Sequence, residues 1–405
     1  PALCFHATFL MTLRAIGLLS TLVALCSGLL LPPVLRGPKL IRVDAEGRRL
    51  PPWVKGGIPL HVEEVQLPKG AGASFSPALR DVEITREAKA LVLQPRNARD
   101  VKAAVVFMHG FSQQPENYME TLSCLAASGM KIVAPTVWIF DMFSPFVTVE
   151  TARTPNLFKK LQTAIVIDGL RSIEMLERQK FAGPISLAGH SMGGAGALVM
   201  PRILPRGTKI SAISVASPSV IESRPTVVNP DLHGNGRLFD RKLDLCSSET
   251  HFRRYGMKPK VVLFSAAKDG VVNPEEVRSV FGVMRVFPSA LERESAWVAI
   301  KFGAHIGFGN SLKLNLKLFN AKIPQPAILD LLIYALDVGE CIWGDLDAQL
   351  VTTKKLMVRH FAAYGGSKDT SGDFAFSEKR TEWSEVVEVH TDSKQIWRTL
   401  IGSPP

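Results

Sequence analysis

Gly189-His190-Ser191-Met192-Gly193, with Gly194 following, is the stretch whose residue types and spacing specify chemistry most directly. The apolar run Pro184–Ala188 precedes it and the small-residue-rich run Met192–Leu204 follows, so the serine falls on a strand-to-helix turn. Glycines two residues to either side leave room for strand and helix to approach, and the turn between them holds the serine in a strained conformation. Oγ is thereby lifted clear of the sheet and placed at the positive end of the helix dipole, where developing negative charge is favoured. Outside that context the same five letters are weak, because a chance glycine-rich turn can carry them.

A serine hydroxyl is a poor nucleophile at neutral pH and needs a base within hydrogen-bond reach, itself oriented by a carboxylate. Where a sheet presents such a set on this kind of turn, the chain order is serine, acid, histidine, each on a loop after a strand. Asp269 follows the apolar run Lys260–Phe264 and sits in an Asp-Gly turn, and His305 follows Ala296–Lys301 in Phe302-Gly303-Ala304-His305-Ile306-Gly307. Glu222, after the preceding strand, is a rival acid. His233 and His251 lie in an insertion, and His360 and His390 in the tail, without strand-end context. His109 and His190 read better as neighbours of the site, and His305 alone would equally suit an ordinary loop histidine. An oxyanion needs two backbone N–H donors. Met192, directly after the serine, supplies one, and Phe111, in the His109-Gly110-Phe111 turn after Ala103–Met108, supplies the other. An ordinary strand-ending turn is the plainer alternative for His-Gly.

These residues need elements to carry them. Pro59–Leu67, Asp81–Thr85 and Ala90–Leu93 predict an antiparallel hairpin region at the start of the fold. Ala103–Met108 is apolar throughout, as a strand buried on both faces should be. Strand and helix then alternate: a helix over Asn117–Ser128 with Tyr118, Leu122 and Leu125 on one face and Gly129 closing it, a strand at Lys131–Pro135, and a long helix at Pro155–Arg178 burying Leu161, Ile165, Ile173 and Leu176. Strands at Ile210–Val215, Lys260–Phe264 and Ala296–Lys301 follow, with helices over Pro274–Val283 and Ala327–Val338. This alternation predicts an α/β architecture, a mostly parallel sheet with helices on both faces. Residues 217–259 form a long lid-like insertion, and residues 346–405 a polar C-terminal extension whose order the sequence leaves open.

The chain has 405 residues, 46% hydrophobic and 21% charged, which suits a globular protein with a large core. The formal charge of +11 is spread among many acids, without a basic run interleaved with aromatics, so a solvated basic surface is expected and no nucleic-acid partner. Near the N-terminus Met11-Thr12-Leu13-Arg14, the apolar run Ala15–Leu25 and the small Cys26-Ser27-Gly28 read as a signal peptide over residues 11–33. A membrane anchor competes, because apolar character runs on to Leu31, but the stretch falls short of the about 20 residues a spanning helix needs. The route implied is secretion or the endomembrane system, or a plastid if the signal is the first half of a bipartite address. Of five cysteines, Cys4, Cys26, Cys124, Cys246 and Cys341, two fall in the leader region. The other three are too widely spaced for a disulfide framework or a metal site.

Val105–Thr136 (VVFMHGFSQQPENYMETLSCLAASGMKIVAPT) together with Leu187–Leu198 (LAGHSMGGAGAL) resembles the chlorophyllase, dienelactone-hydrolase and cutinase-like polyester-hydrolase branch of the α/β-hydrolase fold. The His-Gly-Phe turn, the Ala-Ser-Gly helix end and the Val-Ala-Pro strand are similar to chlorophyllases. Met192 is similar instead to the polyester hydrolases, since chlorophyllases usually carry arginine there. The resemblance spans roughly Ala103–Val338; the 217–259 insertion and the tail have no counterpart in it. It implies an α/β-hydrolase domain over residues 34–345 and a serine esterase or lipase-like enzyme with Ser191 as nucleophile, His305 as base and Asp269 as orienting acid. Trp138, Phe140 and Phe143 follow a strand on the same rim and would line a greasy wall for an acyl, alkyl or isoprenoid chain, unless they are core packing under the insertion. The expected substrate is a small or lipid-like ester, including one held at a membrane or polymer surface, with no cofactor and no metal. A non-catalytic protein that kept the fold, and a peptidase, thioesterase or acyltransferase on the same scaffold, are the alternatives.

Overall fold

Strands that are apolar at every position can be stable only where helices cover both sheet faces, and the first question is which helices do so. The computed structural model describes residues 38–51, 55–69, 87–110, 113–137, 157–204, 208, 210–219, 260–269, 272–285, 296–301, 303–309, 346–364 and 387–390. In chain order these form β1 (Lys39–Val43), β2 (Ile58–Gln66), β3 (Lys89–Pro95), β4 (Ala103–Met108), α1 (Met119–Ala127), β5 (Met130–Thr136), α2 (Leu157–Arg178), β6 (Ile185–His190), α3 (Ser191–Val199) and β7 (Ile210–Ala216). β8 (Lys260–Ala266), α4 (Pro274–Arg285), β9 (Ala296–Ile300), α5 (Leu346–Tyr364) and β10 (Val387–His390) complete the set.

The ten strands make one sheet in the order β1-β2-β3-β5-β4-β6-β7-β8-β9-β10. β5, β4, β6, β7, β8 and β9 run parallel. β1, β2 and β3 join antiparallel at one edge and β10 pairs antiparallel with β9 at the other. Antiparallel strands at the edges and parallel strands buried in the middle make this the α/β-hydrolase fold.

Every residue of β4 and β6 is buried, and their side chains divide by the period of two. Ala104, Val106 and Met108 point to the face covered by α2, α3 and α4, where Ile165, Val166, Leu170, Leu198, Val277 and Phe281 pack. Ala103, Val105 and Phe107 point to the other face, covered by α1 and α5 through Leu122, Leu125, Leu356, Met357 and Phe361. The residues from Leu346, read from sequence as a polar extension, therefore supply one of the two helices that cover this face among the described residues. The segment Val387–His390 adds an edge strand.

Connectivity fixes where a site can form. From β4 the chain crosses through α1 to β5 on one side, then returns through α2 to β6 on the other. The loops leaving β4 and β6 thus diverge, and the crevice between their C-terminal ends is where parallel sheets present ligand-binding groups. Several sequence expectations lie outside the described residues: the 11–33 leader, the Asp81–Thr85 strand, the helix over Ala327–Val338, Glu222, His233, His251 and the insertion beyond residue 219. Among the described residues no helix is long and apolar enough to cross a membrane.

Candidate active site

Ser191 opens α3 directly after β6, with φ of +52°. That value lies in the left-handed region, which costs a non-glycine residue of order 1–3 kcal/mol and persists only where the surroundings enforce it. They do so here by close packing. A Cβ on Gly193 would strike the backbone of Met108 and His109, and one on Gly189 the backbone of Gly193. The helix start is consequently pressed against the end of β4, and the carbonyl of Ser191 accepts the N–H of Ser219 at 3.0 Å, tying the turn to the segment after β7. Met192 follows in the first turn of α3, where backbone N–H groups have no intrahelical acceptor.

The loop after β4 reaches this serine. An ideal Cβ on Gly110 would lie 3.3 Å from the Ser191 Cβ, so the backbone there passes directly against the turn that carries Ser191. His109 shapes the bend. Its Nε2 accepts the N–H of Val137 at 3.0 Å, which leaves the ring proton on Nδ1 to donate to the Gly110 carbonyl at 2.8 Å. One neutral imidazole thereby joins the loop after β4 to the end of β5. Phe111, expected as an oxyanion donor, lies outside the described residues, as do Trp138, Phe140 and Phe143, which follow Val137.

Asp269 and His305 meet in the structure. Asp269 lies beyond β8 with its side chain wholly buried, and its Oδ2 is 2.8 Å from Nδ1 of His305, beyond β9. Its Oδ1 accepts the N–H of Val272 at 2.8 Å, so both carboxylate oxygens are engaged. The two loops are also stitched through backbone, with the Lys268 N–H donating to the Gly303 carbonyl at 2.9 Å. With Nδ1–H committed to the carboxylate, Nε2 of His305 is the nitrogen left to exchange a proton.

His190 brings this pair to the serine. The residue preceding Ser191 stacks its ring against His305, with centroids 4.6 Å apart, and against Phe308 at 5.4 Å. On its other side Nδ1 of His190 lies 2.7 Å from the hydroxyl of Tyr118, a residue buried just ahead of α1. That hydroxyl in turn accepts the Gly110 N–H at 3.2 Å. Burial holds the His190 imidazolium well below the usual range; the neighbouring His305 ring acts in the same direction and the His305 backbone, more weakly, in the opposite one. Burial likewise pushes the Tyr118 phenol well above its usual range. The polarity of the chain follows: Gly110 N–H donates to the phenol oxygen, and the phenol donates to a neutral His190.

Ser191, the Asp269–His305 pair, the turn after β4 and the start of α3 thus converge at the C-terminal ends of β4, β6, β8 and β9. Sequence reasoning placed Tyr118 only on the buried face of a helix, since the hydroxyl's partners come from distant segments and leave no local signal. Among the described residues no three His, Cys, Asp or Glu side chains converge as a metal site would need.

No protein-family model matches the chain. No curated protein matches it. Among solved structures, the chain is similar to the acylaminoacyl peptidase of Pyrococcus horikoshii, at 14% identity and a TM-score of 0.46, over 78% of this chain and 43% of that one. It therefore spans less than half the length of that peptidase. A dienelactone hydrolase from Anabaena variabilis is similar at 14% identity and a TM-score of 0.42, over 75% of this chain and 97% of that one. Est1E from Butyrivibrio proteoclasticus is similar at 15% identity and a TM-score of 0.41, over 68% and 95%.

Proposed function

We propose that this α/β-hydrolase-fold protein is a serine hydrolase that cleaves a carboxylic ester of a hydrophobic substrate through an acyl-enzyme. The observation that carries the reading is a serine in left-handed backbone at a strand-to-helix turn, whose preceding residue packs its ring on a histidine with Nδ1 held by a buried aspartate. In the first step Ser191 Oγ attacks the ester carbonyl while Nε2 of His305 takes its proton. Asp269 fixes the ring through Nδ1–H and stabilises the imidazolium that forms. The Met192 N–H, at the positive end of α3, receives the oxyanion, with Phe111 as second donor. His305 then protonates the departing alkoxide. In the second step water attacks the acyl carbon, giving its proton to His305, and Ser191 leaves as the alcohol. Trp138, Phe140 and Phe143, which follow β5 in the sequence, would line the hydrophobic part of the substrate, and no metal or cofactor takes part.

Fluorophosphonate labelling of the purified protein beside Ser191→Ala and His305→Ala tests this reading. Labelling of wild type alone is expected, since phosphonylation needs an activated serine and its base. Folded wild type that resists the probe would sink the reading. A series of p-nitrophenyl esters of increasing acyl length then reports on chain preference, with longer chains expected to give higher kcat/KM. Removing His305 should cost about 10³-fold or more in kcat, the range seen when a triad member is lost.

A further inference from the structure

We propose that Gln349, on the C-terminal helix, is the positioning residue for His305, an inference that rests on His305 being the catalytic base. Gln349 lies in the first turn of α5 with no exposed surface. Its Oε1 accepts the Ala304 N–H at 2.8 Å and its Nε2 donates to the Ala304 carbonyl at 2.8 Å. A backbone N–H can only donate, so the partners themselves fix which way the amide points. Ala304 is the residue immediately before His305 and is itself fully buried. Two bonds to one residue hold both of its peptide planes, as a neighbouring strand would, at the point where the chain leaves the sheet to present the imidazole.

The loop is shaped around that amide. A Cβ on Gly303 would lie 3.0 Å from the Gln349 Cδ, and one on Gly307 would overlap the Gln349 Oε1. Glycine on both sides of the histidine is therefore explained by the need to admit the glutamine, beyond any local turn preference. One other tie comes from outside the loop, the Lys268 N–H on the Gly303 carbonyl at 2.9 Å, one peptide before the Ala304 carbonyl that Gln349 holds. The Gly303 N–H returns to Ile300 and the Gly307 N–H to Ala304, both at 3.1 Å and both within the loop itself. Asp269 holds the imidazole at Nδ1, while Gln349 holds the peptide behind it from outside the loop, at the Ala304 carbonyl. A base must sit within a few tenths of an ångström of its productive position, and a displacement of about 1 Å costs of order 100-fold in rate.

The experiment compares wild type, Gln349→Leu and Gln349→Glu on p-nitrophenyl butyrate and with the fluorophosphonate probe, folding being checked by near-ultraviolet circular dichroism. Leucine keeps the bulk and removes both bonds. Its kcat is expected to fall roughly 10- to 100-fold with KM within about twofold, and probe labelling to slow in proportion. Glutamate separates positioning from packing. Ionised, it opposes the Ala304 carbonyl; protonated, it restores both bonds. The ratio of Gln349→Glu to wild-type kcat should therefore rise as pH is lowered from about 8 to about 5.5. A folded leucine variant with wild-type kcat would overturn the proposal. Should that variant fail to fold, a glutamate ratio that is flat with pH overturns it instead. Wild type that fails to label removes the base itself, and with it this role for Gln349, so the two failures are told apart by the control.

Discussion

Burial holds the His190 imidazolium well below the usual range, and the reason bears on the proposed catalysis. It lies buried against a second imidazole, so a charge on it would be poorly solvated and would meet the neighbouring ring. Tyr118 meets this constraint by giving His190 a hydrogen-bond donor, which a neutral Nδ1 can accept and an imidazolium cannot. The same hydroxyl takes the Gly110 N–H, so one oxygen connects the loop after β4 to the residue before the serine. Tyr118→Phe keeps the ring and removes that oxygen, leaving a buried N–H and a buried ring nitrogen without this partner. Stability is expected to fall by about 1–3 kcal/mol, the usual cost of unsatisfied buried groups, read as a lower urea midpoint at unchanged m-value. Ser191 should also label more slowly with fluorophosphonate, because the backbone beside it loses its anchor. A phenylalanine variant with wild-type labelling rate would mean that the His109 and Gln113 bonds to the Gly110 carbonyl suffice to hold that turn.

Among the elements, those legible in the sequence were those whose composition follows from burial. β4 through β9 are apolar because both faces are covered, and their runs in the sequence coincide with the strands to within two residues at either end. The order of strands and turns likewise put Ser191, Asp269 and His305 at strand ends, since glycine and Asp-Gly punctuation survives in one dimension. α5 was not legible as part of the core, and the cause is physical. Its buried face carries Gln349, Thr352, Thr353, Lys354 and His360 among its apolar residues. Reading by hydropathy assigns such residues to solvent, whereas here Gln349, Lys354 and His360 each spend polarity on a partner from elsewhere in the chain. Lys354, for example, donates to the Glu46 carbonyl at 2.9 Å and to Glu120 at 3.0 Å, joining α5 to the β1–β2 connection and to α1. If α5 is core and not an appendage, Phe361→Ala should cost about 3–5 kcal/mol, as truncation of a buried aromatic does. Thermal or urea unfolding measures it, and a variant as stable as wild type would place the helix outside the cooperative unit.

For the molecule as a whole, the buried neutral histidines set how the fold responds to acid. His360 lies on α5 against β7, its Nδ1 3.0 Å from the Ser214 hydroxyl, and burial pushes its pKa down from 6.5 to about 3. His190 is depressed in the same direction. For a base with a lowered folded pKa, the unfolded chain binds a proton at pH values where the folded chain does not. Stability therefore rises with pH through this window, is complete above about pH 6.5, and is lost progressively as pH falls below it. The formal charge of +11 works in the same direction, because acid adds positive charge to a molecule already positive. The two causes differ in what a single residue can change. His360→Asn keeps a polar atom for Ser214 at the position of Nδ1 but cannot titrate, and it leaves the general charge repulsion almost untouched. Calorimetric unfolding near pH 5, in buffers of different ionisation enthalpy, counts the protons taken up. The variant is expected to take up about one fewer than wild type and to show a shallower fall of Tm between about pH 7 and 5. Identical proton uptake in the two proteins would leave the acid sensitivity to His190 and overall charge, and His360 would then be an ordinary buried side chain with no part in the linkage.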